Sequence, residues 1–361
     1  MSRLVGRREI LFVEEPSRKD GRPELEIQTV GPGLRVVRPH LSAGGPGFGA
    51  AQQRALMTGL RDLLARDGWS EFVAWLYTPM AVRVARSLAP RRIIFDCMDE
   101  QPTLAAASPE FAERERELLA HADVVITESP SLLKAKARGV RCVLCLPSSI
   151  EEKHFTATRL SKDAPDLAAI PRPRLGALGV IDERIDLEIV DAIAAERPDW
   201  QIVLAGPVAK ASPTSLPERP NLHYLGTPSY EDLPRYLAGW DLCLAPFKVD
   251  EIASPSRLGK ILEYMAADRP IVTTPIPDVA DLYGEIVYIG HGASGFLEAC
   301  DRALLASPTE RRARRTMARR ALAKTSWDET AARIDQVLSG LLGRAPKIFA
   351  PNLIAPQGLP A

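Results

Sequence analysis

The sequence predicts an α/β protein folded as two parallel-sheet domains. Short, continuous apolar and β-branched runs alternate with helical patterns, which is how parallel strands buried on both faces read. The alternation breaks at a Pro- and Ala-rich polar stretch, 156–172, and then restarts. At 361 residues the chain can hold two complete cores. Two consecutive αβ units joined by a linker imply Rossmann-like domains facing across a cleft. Sheets of this kind bind ligands beyond the carboxyl ends of their strands.

In chain order, strands are expected at 10–13, 34–37, 72–76, 93–96, 124–127 and 143–146. Helical patterns at 52–65, 81–88, 110–120 and 131–138 separate them. After the polar stretch, strands are expected at 175–178, 202–204, 222–225, 242–245, 271–274 and 286–289. Helices beginning at Arg184, Tyr230, Ser256 and Ser294 lie between these. Two long helical patterns, 308–324 and 327–342, close the series. The expected organisation is an N-terminal domain over 1–155, a linker over 156–172 and a C-terminal domain over 173–325. A helix over 326–344 then returns to the N-terminal domain, and a flexible Pro-rich tail occupies 345–361.

Composition excludes several classes. Hydrophobic residues at 46% and charged residues at 25% describe an ordinary globular protein. Lysine plus arginine number 46, as do aspartate plus glutamate, so no net field draws the chain to nucleic acid. The charged stretch from Met1 to Glu9 lacks the apolar centre of a secretory signal, and no run reaches the ~20 apolar residues that span a bilayer. Five cysteines without a pairing framework fit a reducing compartment. The expected location is the cytoplasm, with the inner face of the membrane as a second reading. Cys142 and Cys145 form a lone Cys-x-x-Cys without further zinc ligands and read as buried structural thiols.

The most informative stretch is 254–275. Ser254 caps a helix that Pro255 opens, Leu258, Ile261, Leu262 and Met265 form its apolar stripe, and Asp268-Arg269-Pro270 stops it. Lys260 and Glu263 share one face. A helix start offers free N–H groups and partial positive charge to a phosphate. A carboxylate one to two turns further in can accept both hydroxyls of a ribose. On this stretch alone, an exposed ion pair is the stronger reading.

Context changes that balance. Residues 94–100 read Ile-Phe-Asp-Cys-Met-Asp-Glu, and 122–129 end Thr-Glu-Ser. Residues 146–155 read Leu-Pro-Ser-Ser-Ile-Glu-Glu-Lys-His-Phe, and 221–247 carry Leu-Gly, Tyr, Trp-Asp-Leu and Pro-Phe in series. Followed by 254–275, these stretches stand in the order found in glycosyltransferases of the GT-B fold. Over most of its length the chain resembles the retaining, group 1, family 4-like type.

The resemblance implies a metal-independent, hexosyltransferase-like enzyme with no cofactor. It would move a sugar from a nucleotide-diphosphate donor to a carbohydrate or lipid-linked acceptor, in cell-envelope or exopolysaccharide synthesis. Carried over by position, Glu263 holds the ribose. Lys260 and Arg184 hold the diphosphate, with Gly179 and the helix opening at Ser256 beside them. Asp96, Asp99 and Glu100 serve the acceptor side as catalytic candidates. Arg184 has a local alternative of near-equal weight, pairing with Asp182 or Glu183, and Asp99 and Glu100 have one in turn chemistry before Pro102. Gly45-Pro-Gly-Phe-Gly-Ala lacks a strand directly before it and reads as a loop. The basic stripe within 311–320, through Arg311, Arg312, Arg315 and Arg319, reads first as a solvated face and second as a peripheral membrane contact.

Two departures qualify the resemblance. The group usually carries two glutamates eight residues apart. Glu263 matches the second, but Pro255 stands at the first, with Asp250 and Glu251 as nearby substitutes. At the front, residues 1–9 look like the end of a helix entering the second strand of such a domain. The first strand and most of the first helix, ~20 residues by ordinary element lengths, are then expected to be missing. A start site placed too late is the favoured explanation. The rival function is a non-catalytic nucleotide-sugar-binding protein that has lost its acceptor loop.

Overall fold

The computed structural model describes residues 2–19, 23–41, 50–98, 109–208, 216–249, 255–342 and 347–351. The chain forms two compact units, 1–147 with 328–361, and 148–327. Among the described residues, no helix is long and apolar enough to cross a membrane.

The first unit opens with a helical turn at Ser2–Leu4 and then runs β1 (Ile10–Val13), β2 (Ser17–Arg18), β3 (Glu24–Gly31) and β4 (Leu34–Leu41). It continues through α1 (Ala50–Arg66), β5 (Phe72–Leu76), α2 (Val82–Ser87) and β6 (Arg92–Cys97). Next come α3 (Pro109–His121), β7 (Val124–Thr127), α4 (Pro130–Lys136) and β8 (Val143–Cys145). β5 and β7 are buried at every position, as their unbroken apolar runs require. β3 is absent from the expected strands because its polar residues leave it exposed. It pairs antiparallel with β4 through a turn in which Gly33 has φ of +82°.

The second unit runs α5 (Glu152–Thr156), β9 (Arg174–Leu178), α6 (Leu187–Glu196), β10 (Gln201–Ala205) and β11 (Leu222–Tyr224). It continues with α7 (Leu233–Gly239), β12 (Leu242–Ala245), α8 (Pro255–Ala266), β13 (Ile271–Thr273) and α9 (Pro277–Tyr283). β14 (Tyr288–Ile289), α10 (Gly292–Leu305) and α11 (Pro308–Leu322) complete it. Its sheet is parallel throughout, in the order β11-β10-β9-β12-β13-β14. On one face Ile189, Ile193, Phe296 and Cys300 of α6 and α10 pack on the strands. On the other, Leu237, Ile261, Tyr264 and Leu322 of α7, α8 and α11 do so.

The chain then returns through α12 (Trp327–Leu342) to β15 (Lys347–Pro351), both within the first unit apart from Trp327 at the boundary. β15 lies parallel between β1 and β5, so the sheet runs β2-β4-β1-β15-β5-β6-β7-β8, with β3 beyond β4. Its neighbours along the strand face opposite sides. Phe349 joins Leu11, Leu60 and Phe95 in one core, and Ile348 joins Ile10, Trp75 and Leu338 in the other. α12 is tied down by Arg8, whose guanidinium reaches Asp335 at 2.7 Å and the Ser339 hydroxyl at 2.7 Å.

Four expectations change. Residues 345–361 are not uniformly a loose tail, because 347–351 form a central strand. The stretch 156–172 is not a free linker, since Ala164, Leu167 and Ile170 are buried in the second unit's core with Phe155. Leu167 fits there because Gly239 has no side chain; a Cβ on it would stand 2.3 Å from Leu167 Cδ1. The first unit's leading segment accordingly ends at 147 rather than 155. Third, in a doubly wound order of 3-2-1-4-5 the middle strand comes first in the chain. The place expected to be empty for want of a first strand is filled here by β15, the last described strand. Cys142 and Cys145 are half-buried rather than buried, while Cys97, Cys243 and Cys300 are buried.

Candidate functional site

The carboxyl edge of the second unit's sheet gathers most of the expected donor-side residues. β9 ends at Leu178, and Gly179 turns the chain with φ of +133°, a conformation that L side chains avoid. Its neighbour across the edge is Gly206, where a Cβ would stand 1.8 Å from the Gly179 carbonyl oxygen. Two glycines therefore let two backbone segments close up at the strand ends.

α8 is set against this edge by its own tyrosine. The Leu178 amide donates to the buried Tyr264 hydroxyl at 2.8 Å, across a sequence separation of 86 residues. Lys260 lies one turn before Tyr264, and a Cβ on Gly179 would meet its Cε at 3.9 Å. Lys260 donates to Glu263 at 2.6 Å, both side chains being about one-fifth exposed. Gly179, Lys260 and Glu263 thus come together. Ser256 lies in the first turn of α8, but its side chain falls outside the described residues.

Arg184 stands on the same edge and is held by a carboxylate of its own loop. Its guanidinium grips the buried Asp182 carboxylate in a two-pronged pairing, with Nη2 at 2.7 Å and Nε at 3.0 Å from both oxygens. The backbone secures the loop: Lys248 N–H donates to Arg184 O at 2.9 Å, and Asp186 N–H to Pro246 O at 2.7 Å. The local reading of Arg184 is therefore realised. Asp182 fixes the guanidinium.

An aromatic pair that the sequence reading passes over lies close by. His154 of α5 stacks on Tyr230 with ring centroids 4.1 Å apart and planes 9° from parallel. Tyr230 remains half exposed, and its phenol is held above its usual range, first by burial and then by the Glu151 and Glu263 carboxylates. A lone histidine and a loop tyrosine 76 residues apart give no local sequence signal.

In the first unit, Asp96 sits near the carboxyl end of β6 and accepts from the Trp75 indole N–H at 3.1 Å. By alternation it shares the sheet face of Ile94 and Trp75, which α12 covers. Burial pushes its carboxyl up to about 6, although the Trp75 bond opposes this. Glu15, just past β1 at the same edge, is pushed up to about 7 by burial. Carboxyls displaced toward neutrality at strand ends mark candidate acid–base positions. Nothing in the local sequence marks Glu15, because its partial burial follows from the tertiary fold. Asp99, Glu100, Asp250, Glu251 and the glycine-rich stretch 45–50, apart from Ala50, lie outside the described residues.

Solved structures share this architecture across nearly the whole chain. Sucrose-phosphate synthase from Thermosynechococcus elongatus superposes with a TM-score of 0.66 at 15% identity, covering 93% of this chain and 99% of that one. An E. coli trehalose-6-phosphate structure bound with UDP-2-fluoro glucose gives 0.67 at 14% identity, covering 94% and 100%. The fold is GT-B. Within that GT-B chain, residues 174–307 match the family described as Glycosyl transferases group 1, a segment that includes Gly179, Arg184, Lys260 and Glu263. TuaH of Bacillus subtilis (strain 168), assigned to teichuronic acid biosynthesis as a glycosyltransferase, is 24% identical over 232 residues. That match covers 59% of this chain and 58% of TuaH.

Proposed function

We propose that this GT-B protein is a glycosyltransferase that moves a sugar from a nucleotide-diphosphate donor to an acceptor hydroxyl in the assembly of a cell-envelope or exopolysaccharide glycan. The observation that carries the reading is the Gly179–Lys260–Glu263 grouping, locked by Tyr264 at the strand ends inside the segment that matches group 1. Lys260 and Glu263 satisfy each other. With donor bound, Lys260 turns to the diphosphate and Glu263 accepts the ribose hydroxyls, while the exposed face of Tyr230 is available to the base. Arg184, oriented by Asp182, adds positive charge beside the phosphates.

The reaction breaks the bond between sugar C1 and the phosphate oxygen and forms one between C1 and the acceptor oxygen. The acceptor proton leaves with the departing phosphate, which supports retention of configuration at C1. Fixed cations supply the charge that the leaving group needs, a preorganised electrostatic role that calls for no metal. Asp96 and Glu15 are the acceptor-side candidates. The acceptor is a carbohydrate or a lipid-linked carbohydrate handled in the cytoplasm. The teichuronic acid assignment of TuaH and the UDP sugar in the E. coli structure make UDP-sugars the first donors to test.

The deciding measurement is UDP-sugar binding and turnover by wild type and Glu263→Ala. Two lost hydrogen bonds to a charged group, each worth about 1.5–3 kcal/mol net, should weaken donor binding by at least about 100-fold. Equal donor affinity in calorimetry removes Glu263 from the site. Donor binding without transfer to any acceptor favours the non-catalytic rival.

A further inference from the structure

The second unit carries another cavity, at the opposite edge of its sheet from Gly179. It opens where β13 and β14 begin, against the face of α11, and Met265 and Ile286 give it an apolar floor. Arg269, Arg311, Arg314 and Arg315 line it, with Asp268 as the one acid in the lining. Its empty space, open mouth included, is about 440 Å³.

Two of these guanidiniums, on Arg311 and Arg269, are held in place by neutral groups, and that of Arg314 by carbonyl oxygens together with Glu310 at 3.2 Å. Arg311 donates to Leu304 O at 2.6 Å and Ala306 O at 3.0 Å. Arg314 donates to Glu285 O at 3.0 Å and Val287 O at 3.1 Å, and its Cζ lies 4.0 Å from the centroid of the Tyr288 ring. Arg269 donates to Trp240 O at 3.0 Å and Ala238 O at 3.1 Å. Carbonyl oxygens fix these side chains without cancelling their charge, and a guanidinium has five N–H groups, so donors are left over. The Arg269 Nε is buried with no partner. Among the described residues, Arg315 has no hydrogen-bond or ion-pair partner. Of the nearby acids, Glu310 is shared between Arg314 and the Tyr288 hydroxyl, and Asp268 takes Arg319 at 3.0 Å.

Four lining cations, three of them held in place, against the lining Asp268 and the adjoining Glu310 leave an excess of positive charge and describe a preorganised anion receptor. Planar arginine forks match phosphate oxygens two at a time. Because their side chains are already immobilised, little entropy remains to be lost on binding. We propose that this cavity is a phosphoryl-binding site separate from the donor residues, taking the phosphate of either a small phosphorylated ligand or an acidic lipid headgroup.

The test uses Arg315→Glu and Arg315→Gln beside Arg312→Glu. Arg312 is exposed on the same helix but does not line the cavity, so it carries the same charge change as a control. Inorganic phosphate is titrated by calorimetry, and co-sedimentation is measured on phosphatidylcholine vesicles with and without phosphatidylglycerol. Phosphate affinity should fall at least about tenfold in both Arg315 variants, one lost charge-assisted pairing, and stay within about twofold in Arg312→Glu. Vesicle binding that needs phosphatidylglycerol, is competed by phosphate and is lost with Arg315 assigns a lipid source. Phosphate binding without vesicle binding assigns a small ligand. Absence of phosphate binding in wild type, or equal losses in the Arg312 and Arg315 variants, overturns the proposal. UDP-sugar turnover by Arg315→Glu should match wild type, so failure here leaves the donor-site reading untouched.

Discussion

Lys260 and Glu263 neutralise each other at 2.6 Å in a site where each is about one-fifth exposed, so removing either leaves a partly desolvated charge alone. The two should therefore separate by ligand. Lys260→Met should weaken UDP binding while leaving uridine binding near wild type, because the lysine is assigned to phosphate alone. Calorimetry with the two ligands checks this, and an equal effect on both would reassign Lys260. Asp96 yields a second expectation. Its carboxyl ionises at about 6 when folded against 3.8 in an ordinary environment, so the folded state favours the protonated form. That stabilisation is complete below the unfolded value and is lost as pH rises through about 6. Asp96→Asn should then have a higher melting temperature than wild type at pH 8, and the difference should shrink near pH 4. Trp75→Phe removes the one hydrogen bond that lowers the Asp96 value. It should move the carboxyl titration further upward, read by NMR.

At the scale of elements, α8 shows what a local pattern can and cannot announce. Its stripe of Leu258, Ile261, Leu262 and Met265 is visible as periodicity, and all four are buried as that pattern requires. Tyr264 is visible only as one more apolar-looking position. Its function in holding the helix depends on the Leu178 amide, a partner that no window around residue 264 contains. Tyr264→Phe strands that amide in a buried setting at a cost of about 1–3 kcal/mol. Thermal unfolding should register the loss, and donor KM should rise with it as α8 loosens from Gly179. The same distinction explains the rest of the site. Asp182 and Arg184 are two residues apart, so their pairing is foreseeable from sequence, whereas the His154–Tyr230 stack and the half-buried Glu15 are products of tertiary packing. β3 escapes notice for a different reason: as an exposed edge hairpin it carries polar residues where a core strand would carry valine or isoleucine.

Over the whole molecule, two parallel sheets are legible because their strands are buried on both faces and so cannot afford polar interruptions. The strand that completes the first sheet is the exception. Five residues, Lys347–Pro351, are too short a run to stand out beside prolines. Yet Phe349 and Ile348 are fully buried in the two cores on either side of that sheet. Phe349→Ala should cost about 3–5 kcal/mol. Hydrogen exchange should show the loss concentrated in β1, β5 and their neighbours, with 148–327 protected as before. Uniform loss across both units would mean that they unfold as one.

β15 also sets an order of events during synthesis. Residues 148–327 are contiguous and can fold as soon as they leave the ribosome, whereas the other sheet lacks its middle until 347–351 emerge. β1 and β5 must wait, with unpaired edges, for a partner made more than 200 residues later, a long-range closure that slows folding. Nascent chains arrested before residue 347 should therefore protect the 148–327 unit from protease while leaving 1–147 open to cleavage. In this chain the middle of the first unit's sheet is among the last parts to be made.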